Sequence, residues 1–117
     1  MMTENPALTK SFEFSLKMVA LCRKLIYENK EFVLGKQLLR CSTSIGANLE
    51  EAMGGFSSND FKYKISLSYK EARETHYWIR LLMRSQIINE ADGNAGLKDL
   101  EELLKILTAT LKTLNKA

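Results

Sequence analysis

Two segments of the chain carry polar side chains that could do chemistry. The segment from Lys70 to Leu82 reads KEARETHYWIRLL, and at helical spacing it puts Glu71 inside an apolar arc and Glu74 at its margin. The segment from Cys41 to Ala52 reads CSTSIGANLEEA and adds serine, asparagine and glutamate side chains. Carboxylates placed in this way can act as general acids and bases or bind metal ions. These segments are therefore the candidates for a reactive site.

Neither segment completes a catalytic or metal-binding set. A di-metal helical bundle needs a Glu from each of two helices and a Glu-x-x-His pair from each of two others. His76 is the single histidine, and no Glu stands three residues before it. A ribonuclease built on Arg and His a few residues apart also finds no match, because no Arg stands four to seven residues before His76. The sequence therefore predicts a protein that is not an enzyme, with no catalytic residue, metal ion or cofactor.

A structural network explains the polar segments better. An isolated buried carboxylate is unfavourable, so Glu71 needs a partner. We expect side chains of two neighbouring helices to pair, with hydroxyl and amide groups donating and carboxylates accepting. The predicted members of this buried network are Arg40, Ser44, Asn48, Glu51, Glu71 and Glu74. The small residues between Cys41 and Ala52 would let the helix of Glu71, or a neighbouring subunit, approach closely.

Basic side chains form a second candidate site. The third predicted helix carries a row of basic side chains that lie within about 40° of one another around the helix axis. This row consists of Lys62, Arg73, Arg80 and Arg84. A heptad-spaced stripe on the first helix consists of Lys10, Lys17 and Lys24. Aromatic residues such as Tyr77 lie beside these stripes, and basic residues with interleaved aromatics can bind a phosphate backbone and stack on bases. The alternative is an ordinary solvated face, which a net charge of only +3 leaves open.

Four helices must position these side chains. Asn5-Pro6 is a helix start signal, and Ser57 to Asp60 resembles a capping box. A break near Gly35, a left-handed stop at Gly54-Gly55 and a turn in the segment NEADGNAG separate the helices. The predicted ranges are 6–29, 35–54, 58–88 and 95–115. Short connections between amphipathic helices predict an all-α, antiparallel up-down-up-down four-helix bundle, with residues 1–117 as a single domain.

The first helix has more apolar surface than one core needs. One stripe, predicted to face the core, consists of Phe12, Ser15, Val19, Cys22 and Ile26. The stripe beside it consists of Phe14, Met18, Leu21 and Leu25. A contiguous apolar patch on a monomer marks an interaction site. We therefore expect a homo-oligomer with this second stripe at or near the subunit contact.

Composition limits the protein class. The chain has 117 residues, 17 basic and 14 acidic side chains, and two cysteines. Two cysteines without a CxxC pair are typical of buried thiols in a reduced compartment. The sequence shows no signal peptide and no apolar run long enough for a bilayer. We expect a soluble cytoplasmic protein without a membrane partner.

The motifs LLRCSTSIGANLEEA and YKISLSYKEARETHYWIRLL together resemble a known family. This family consists of the small four-helix-bundle proteins encoded in intervening sequences of bacterial 23S ribosomal RNA genes. The accessory variability protein of diversity-generating retroelements is related to it. The pattern Ser-Ile-x-x-Asn-x-x-Glu starts at Ser44, and the pattern Glu-x-x-Glu-Thr-x-x-Trp starts at Glu71. The resemblance implies a homopentamer without catalysis and a role linked to ribosomal RNA or another nucleic acid.

Two functions follow as hypotheses. The first is a non-catalytic oligomeric bundle that binds RNA or DNA through its basic helix faces. The second is a structural or adaptor oligomer that binds another protein without nucleic-acid contact. The first is favoured if the basic stripes of the first and third helices from several subunits converge on one face or channel, and the second is favoured if they scatter.

Overall fold

A computed structural model describes residues 5–116. It contains four α-helices, named α1 (Pro6–Arg23), α2 (Phe32–Met53), α3 (Ser58–Arg84) and α4 (Glu90–Lys116). A π-helical turn over Lys24–Glu28 extends α1. None of the described residues lies in a strand, which confirms the all-α prediction. No helix of this range has an apolar stretch that would cross a membrane.

The helices form an antiparallel bundle in which each helix packs on the next and α1 packs on α4. Contacts between helices show the directions. Gly46 of α2 faces Ser11 of α1, whereas Gly35 at the other end of α2 faces Ile26. Contacts in the same antiparallel order join α2 with α3, where Glu51 meets Lys64 and Arg40 meets Glu74. They also join α3 with α4, where His76 meets Glu101 and Met83 meets Gly93. The predicted up-down-up-down order is therefore the observed one.

The starts of α1 and α3 follow the sequence signals closely. The side chain of Asn5 accepts a hydrogen bond from the Ala7 amide at 2.9 Å, with Pro6 at the first helical position. The Ser57 hydroxyl accepts one from the Asp60 amide at 3.1 Å. Each cap satisfies an amide that has no partner inside its helix.

The fourth helix begins earlier than predicted. The segment NEADGNAG is not a turn, because Asn89 caps α4 by accepting a hydrogen bond from the Asp92 amide at 2.8 Å. Gly93 and Gly96 are buried inside the helix, where they face Met83 and Ile79 of α3. These glycines allow close helix packing and do not break the chain.

The predicted end of α2 at Gly54 is confirmed, but its predicted left-handed conformation and the predicted break near Gly35 are wrong. No glycine among residues 5–116 has a positive φ, and Gly54 ends α2 with φ −95°. Left-handed conformations occur instead at Lys30 and Gln86, in the loops after α1 and α3. Gly35 lies inside α2 rather than at its start.

The orientation of α1 changes the predicted roles of its two stripes, although Cys22 and Ile26 of the first stripe are buried as expected. Phe14, Met18 and Leu25 are buried in the core, although they were expected at a subunit contact. Phe12 and Val19 were expected in the core and are exposed. In this orientation Lys10 and Lys17 of α1 also form exposed ion pairs with α4. The apolar pattern alone fits both orientations.

Gly35 is the tightest contact between α2 and the π-helical turn. A Cβ atom at this position would lie 2.7 Å from Cγ1 of Ile26, which is near the base of a stiff, buried side chain. We expect Gly35→Ala to lower the free energy of unfolding by about 1–3 kcal/mol through overpacking, although alanine normally favours a helix.

Urea unfolding checks this prediction, with Gly54→Ala as the matched control. The nearest atom to a Cβ at Gly54 is a carbonyl oxygen at 3.7 Å, and the backbone there suits any residue. The control should stay within about 0.5 kcal/mol of the wild type. Equal stability of both variants would show that the close approach at Gly35 is not rigid.

Candidate nucleic-acid interface

A charged cluster joins α2 and α3. The Arg40 guanidinium donates to Glu71 at 3.2 and 3.3 Å and to Glu74 at 2.7 and 2.8 Å. The indole of Trp78 donates to Oε2 of Glu74 at 3.0 Å, an oxygen that also accepts from Arg40. The hydrogen bond from Trp78, followed by that from Arg40, lowers the pKa of Glu74, so this carboxyl is ionised at neutral pH.

The cluster is only half-buried. The exposed fraction of the side chain is 49% for Arg40, 22% for Glu71 and 38% for Glu74. Water therefore screens these ion pairs, and each contributes about 1 kcal/mol or less rather than the larger value of a fully buried pair. The prediction that both glutamates are largely buried is too strong.

Other predicted members of the network lie nearby without joining the cluster. The Ser44 hydroxyl donates to the Arg40 carbonyl, and the Asn48 amide donates to the Ser44 carbonyl, at 2.7 and 2.8 Å. Glu51 is exposed and pairs with Lys64. Helical hydroxyls and amides often bond to the carbonyl one turn earlier, and this preference keeps Ser44 and Asn48 from reaching the carboxylates.

The small residues between Cys41 and Ala52 allow two helices to approach α2. A Cβ at Gly46 would lie 3.3 Å from the Ser11 hydroxyl of α1. On the other flank, the buried Ser68 hydroxyl of α3 donates to the Ile45 carbonyl at 2.8 Å. One side of the segment is thus an interior packing surface, which α3 approaches as expected and which α1 approaches as well.

The two cysteines lie in the core and carry no reactive thiolate. Burial is the main cause that raises the pKa of Cys22 to about 12 and that of Cys41 to about 11. Within residues 5–116, no three His, Cys, Asp or Glu side chains are close enough to hold a metal ion.

The lysine stripe on α1 faces acidic residues of α4. Lys10 pairs with Glu102 at 3.0 Å, and Lys17 pairs with Asp99 at 2.9 Å. The hydrogen bond with Asp99 raises the pKa of Lys17. Lys24 is exposed and lines a groove between α1 and α4 together with Lys17 and Asp99. Most of the positive charge of this stripe is therefore neutralised within the chain.

The positive charges of the basic row on α3 are not neutralised by ion pairs with acidic residues among residues 5–116. Arg73, Arg80 and Arg84 are exposed, and Lys62 is partly buried. None of these four forms an ion pair among the described residues. Arg80 instead uses its Nε to donate a hydrogen bond to the His76 carbonyl at 3.3 Å.

Lysines of α4 extend the basic row, and the sequence interpretation missed them. His76 of α3 lies 3.2 Å from Glu101 of α4, which fixes the side of α4 that meets α3. Lys98 and Lys105 stand three residues before and four after Glu101, so they lie on that side. Lys112 follows seven residues after Lys105. This heptad spacing could have revealed the lysine row from the sequence. We call this surface the basic α3–α4 face, and it consists of Lys62, Arg73, Arg80, Arg84, Lys98, Lys105 and Lys112.

An apolar surface lies on the opposite side of the bundle. Phe12, Leu16 and Val19 are 63%, 58% and 36% exposed along α1. Beside them, Thr43 and Ala47 of α2 line a groove of about 290 Å³. We call these five residues the apolar α1–α2 face. Large exposed apolar patches mark interaction sites. The candidate subunit contact is therefore this face, and not the stripe that contains Phe14 and Met18.

These features define the class of the protein: a small antiparallel four-helix bundle with a basic face and an apolar face. Residues 3–109 match the family model described as 23S rRNA-intervening sequence protein, and the chain belongs to that family. The chain is also similar to a crystal structure of a protein with unknown function from the S23 ribosomal protein family of Bacteroides thetaiotaomicron. The two chains are 42% identical and superpose with a TM-score of 0.88, over 91% of this chain and 98% of the other. Comparison with curated proteins finds no match.

Proposed function

We propose that this protein is a non-catalytic, cytoplasmic homo-oligomer that binds RNA through the basic α3–α4 face. The observation that carries the proposal is the row of exposed arginines, Arg73, Arg80 and Arg84, without ion-pair partners in the described chain. Guanidinium groups bind phosphate with good geometry, and phosphate neutralisation supplies most of nonspecific nucleic-acid affinity. The family name refers to 23S ribosomal RNA, which makes RNA the first nucleic acid to test.

Charge segregation supports RNA binding more strongly than the net charge does. The acidic residues Asp99 and Glu102 of α4 face α1, where Lys10 and Lys17 neutralise them. The basic α3–α4 face has two acidic neighbours, Glu101, which lies beside His76, and Glu90, which lines a pocket with Arg84. The local field over this face is thus more positive than the charge of +3 for the whole chain suggests.

Assembly is the second part of the proposal. Phe12, Leu16 and Val19 follow one another by four and three residues, which is the spacing of a helix–helix seam. The neighbouring Ala47 and Thr43 are small enough to admit another helix. A second copy of the chain covering this face would leave the basic α3–α4 face of each subunit free. The resemblance to the family carries the expectation of five subunits.

Oligomerisation would increase the affinity for RNA without new contacts. An oligomer repeats the basic α3–α4 face, and linked weak sites can raise overall affinity by about 10²–10⁴. A modest number of arginines in each subunit is then sufficient. The two parts of the proposal, assembly and RNA binding, rest on different faces and can be tested separately.

The alternative is an adaptor that binds another protein through the apolar α1–α2 face and does not touch nucleic acid. Reversing the charge of Arg73 and Arg80 distinguishes the two functions. RNA binding by the wild type that disappears in the variant supports the proposal, and a wild type without RNA binding favours the adaptor.

A further inference from the structure

A groove between α3 and the start of α4 combines apolar and cationic side chains. It has a volume of about 410 Å³, within the range of roughly 300–1,000 Å³ typical of ligand pockets. Its lining consists of Tyr77, Arg80, Leu81, Met83, Arg84 and Leu97. The groove lies at one end of the basic α3–α4 face, so a strand bound on that face would pass over it.

Two parallel rows of side chains form one wall of the groove. Tyr77 and Leu81 stand four residues apart on α3 and make an apolar row. Arg80 and Arg84 have the same spacing and make a cationic row beside it. Tyr77 is 51% exposed as a residue and lines the groove, so its side chain is accessible for stacking. An aromatic ring beside guanidinium groups suits a nucleotide, which has a flat base and a charged phosphate.

Tyr77 is positioned by a chain of contacts that begins at the charged cluster. Its ring packs edge-to-face on Trp78, with centroids 5.3 Å apart and an interplanar angle of 71°. The Trp78 indole donates a hydrogen bond to Glu74, and Arg40 donates hydrogen bonds to the same carboxylate. Because each member restricts the next, Tyr77 loses less rotational freedom on binding than an unsupported surface tyrosine would.

We propose that this groove binds an unpaired nucleotide of single-stranded RNA, with the base on Tyr77 and Leu81 and the phosphates at Arg80 and Arg84. The proposal rests on the proposed function and specifies its substrate class. A base in a duplex is stacked on both sides and cannot lie on a protein ring, whereas an unpaired base can. The groove therefore favours loops, bulges and single strands over RNA helices.

Binding of two RNA probes by substituted proteins tests this inference. The probes are a short oligouridylate strand and a blunt RNA duplex of the same length, each labelled with fluorescein and measured by anisotropy. Tyr77→Ala should weaken oligouridylate binding at least about fivefold, the lower end of what one stacking partner contributes. Duplex binding should not change. Tyr77→Phe keeps the ring and should bind like the wild type.

Tyr63→Ala is the matched control, because Tyr63 is also an exposed tyrosine of α3 but lies outside the groove. It should bind both probes like the wild type. Equal effects of Tyr63→Ala and Tyr77→Ala, or equal weakening of both probes by Tyr77→Ala, would overturn the inference and leave the proposed function intact. A wild type that binds neither probe would instead contradict the proposed function.

Discussion

Charge reversal at Arg73 and Arg80 should abolish RNA binding at physiological salt and leave the fold and the assembly unchanged. Both side chains are exposed, lack ion-pair partners among residues 5–116 and lie on the basic α3–α4 face. Each substitution removes a cation that would bind phosphate and adds a repulsive carboxylate. In the wild type, affinity should fall steeply between about 50 and 200 mM salt, and removing one arginine–phosphate interaction should reduce the slope by roughly 1.

Lys24→Glu with Lys36→Glu provides the same change in net charge at exposed positions outside the basic α3–α4 face. Anisotropy with a labelled RNA should show near wild-type binding for this pair. If both double variants lose binding equally, the interaction depends on total charge and not on the proposed face. Unchanged binding after Arg73→Glu with Arg80→Glu would remove α3 from the interface and return attention to the lysines of α1.

Leu16→Glu should convert the oligomer into monomers. Leu16 lies in the middle of the apolar α1–α2 face and is 58% exposed in the single chain, so the substitution does not disturb the core. In an assembled particle it would place a carboxylate in an apolar contact, and an unpaired buried charge is strongly unfavourable. Light scattering coupled to size exclusion measures the mass directly.

Val33→Glu is the matched control, because Val33 is also exposed and apolar but is not part of the apolar α1–α2 face. It should keep the oligomeric mass. Monomeric Leu16→Glu protein should also bind RNA about 10²-fold or more weakly, since it loses multivalency while keeping its arginines. A monomeric wild type would contradict the assembly proposal.

The sequence was sufficient for the fold because the helix signals are local. Asn5 and Ser57 cap their helices as predicted, since a cap depends on residues only two or three positions away. Asn89 was missed because Gly93 and Gly96 suggested a turn. Their role depends on Met83 and Ile79 of another helix, and a single sequence does not reveal such a contact.

The rotation of α1 could not be predicted from periodicity. Phe12 and Phe14 start two stripes of similar hydrophobicity, and either one could face a core. The choice follows from the burial of Phe14, Met18 and Leu25 against the other helices, and the exposed ion pairs of Lys10 and Lys17 with α4 are compatible with it. The same pairs explain why the α1 lysines resembled a nucleic-acid stripe in sequence but are largely neutralised in the structure.

The charged cluster was predicted in part. Helical spacing indicated that Arg40 could reach Glu71 and Glu74, and the structure brings these three together. The degree of burial and the bond from Trp78 depend on how α2 and α3 pack. Spacing alone gives neither quantity.

Lysine footprinting of the wild-type protein tests the central claim, RNA binding by the basic α3–α4 face, most directly. The acetylation rate of each lysine is measured by mass spectrometry with and without a saturating single-stranded RNA. We predict slower acetylation of Lys98, Lys105 and Lys112 and no change at Lys36. Protection of Lys24 or Lys36 with no protection of the three α4 lysines would contradict the account.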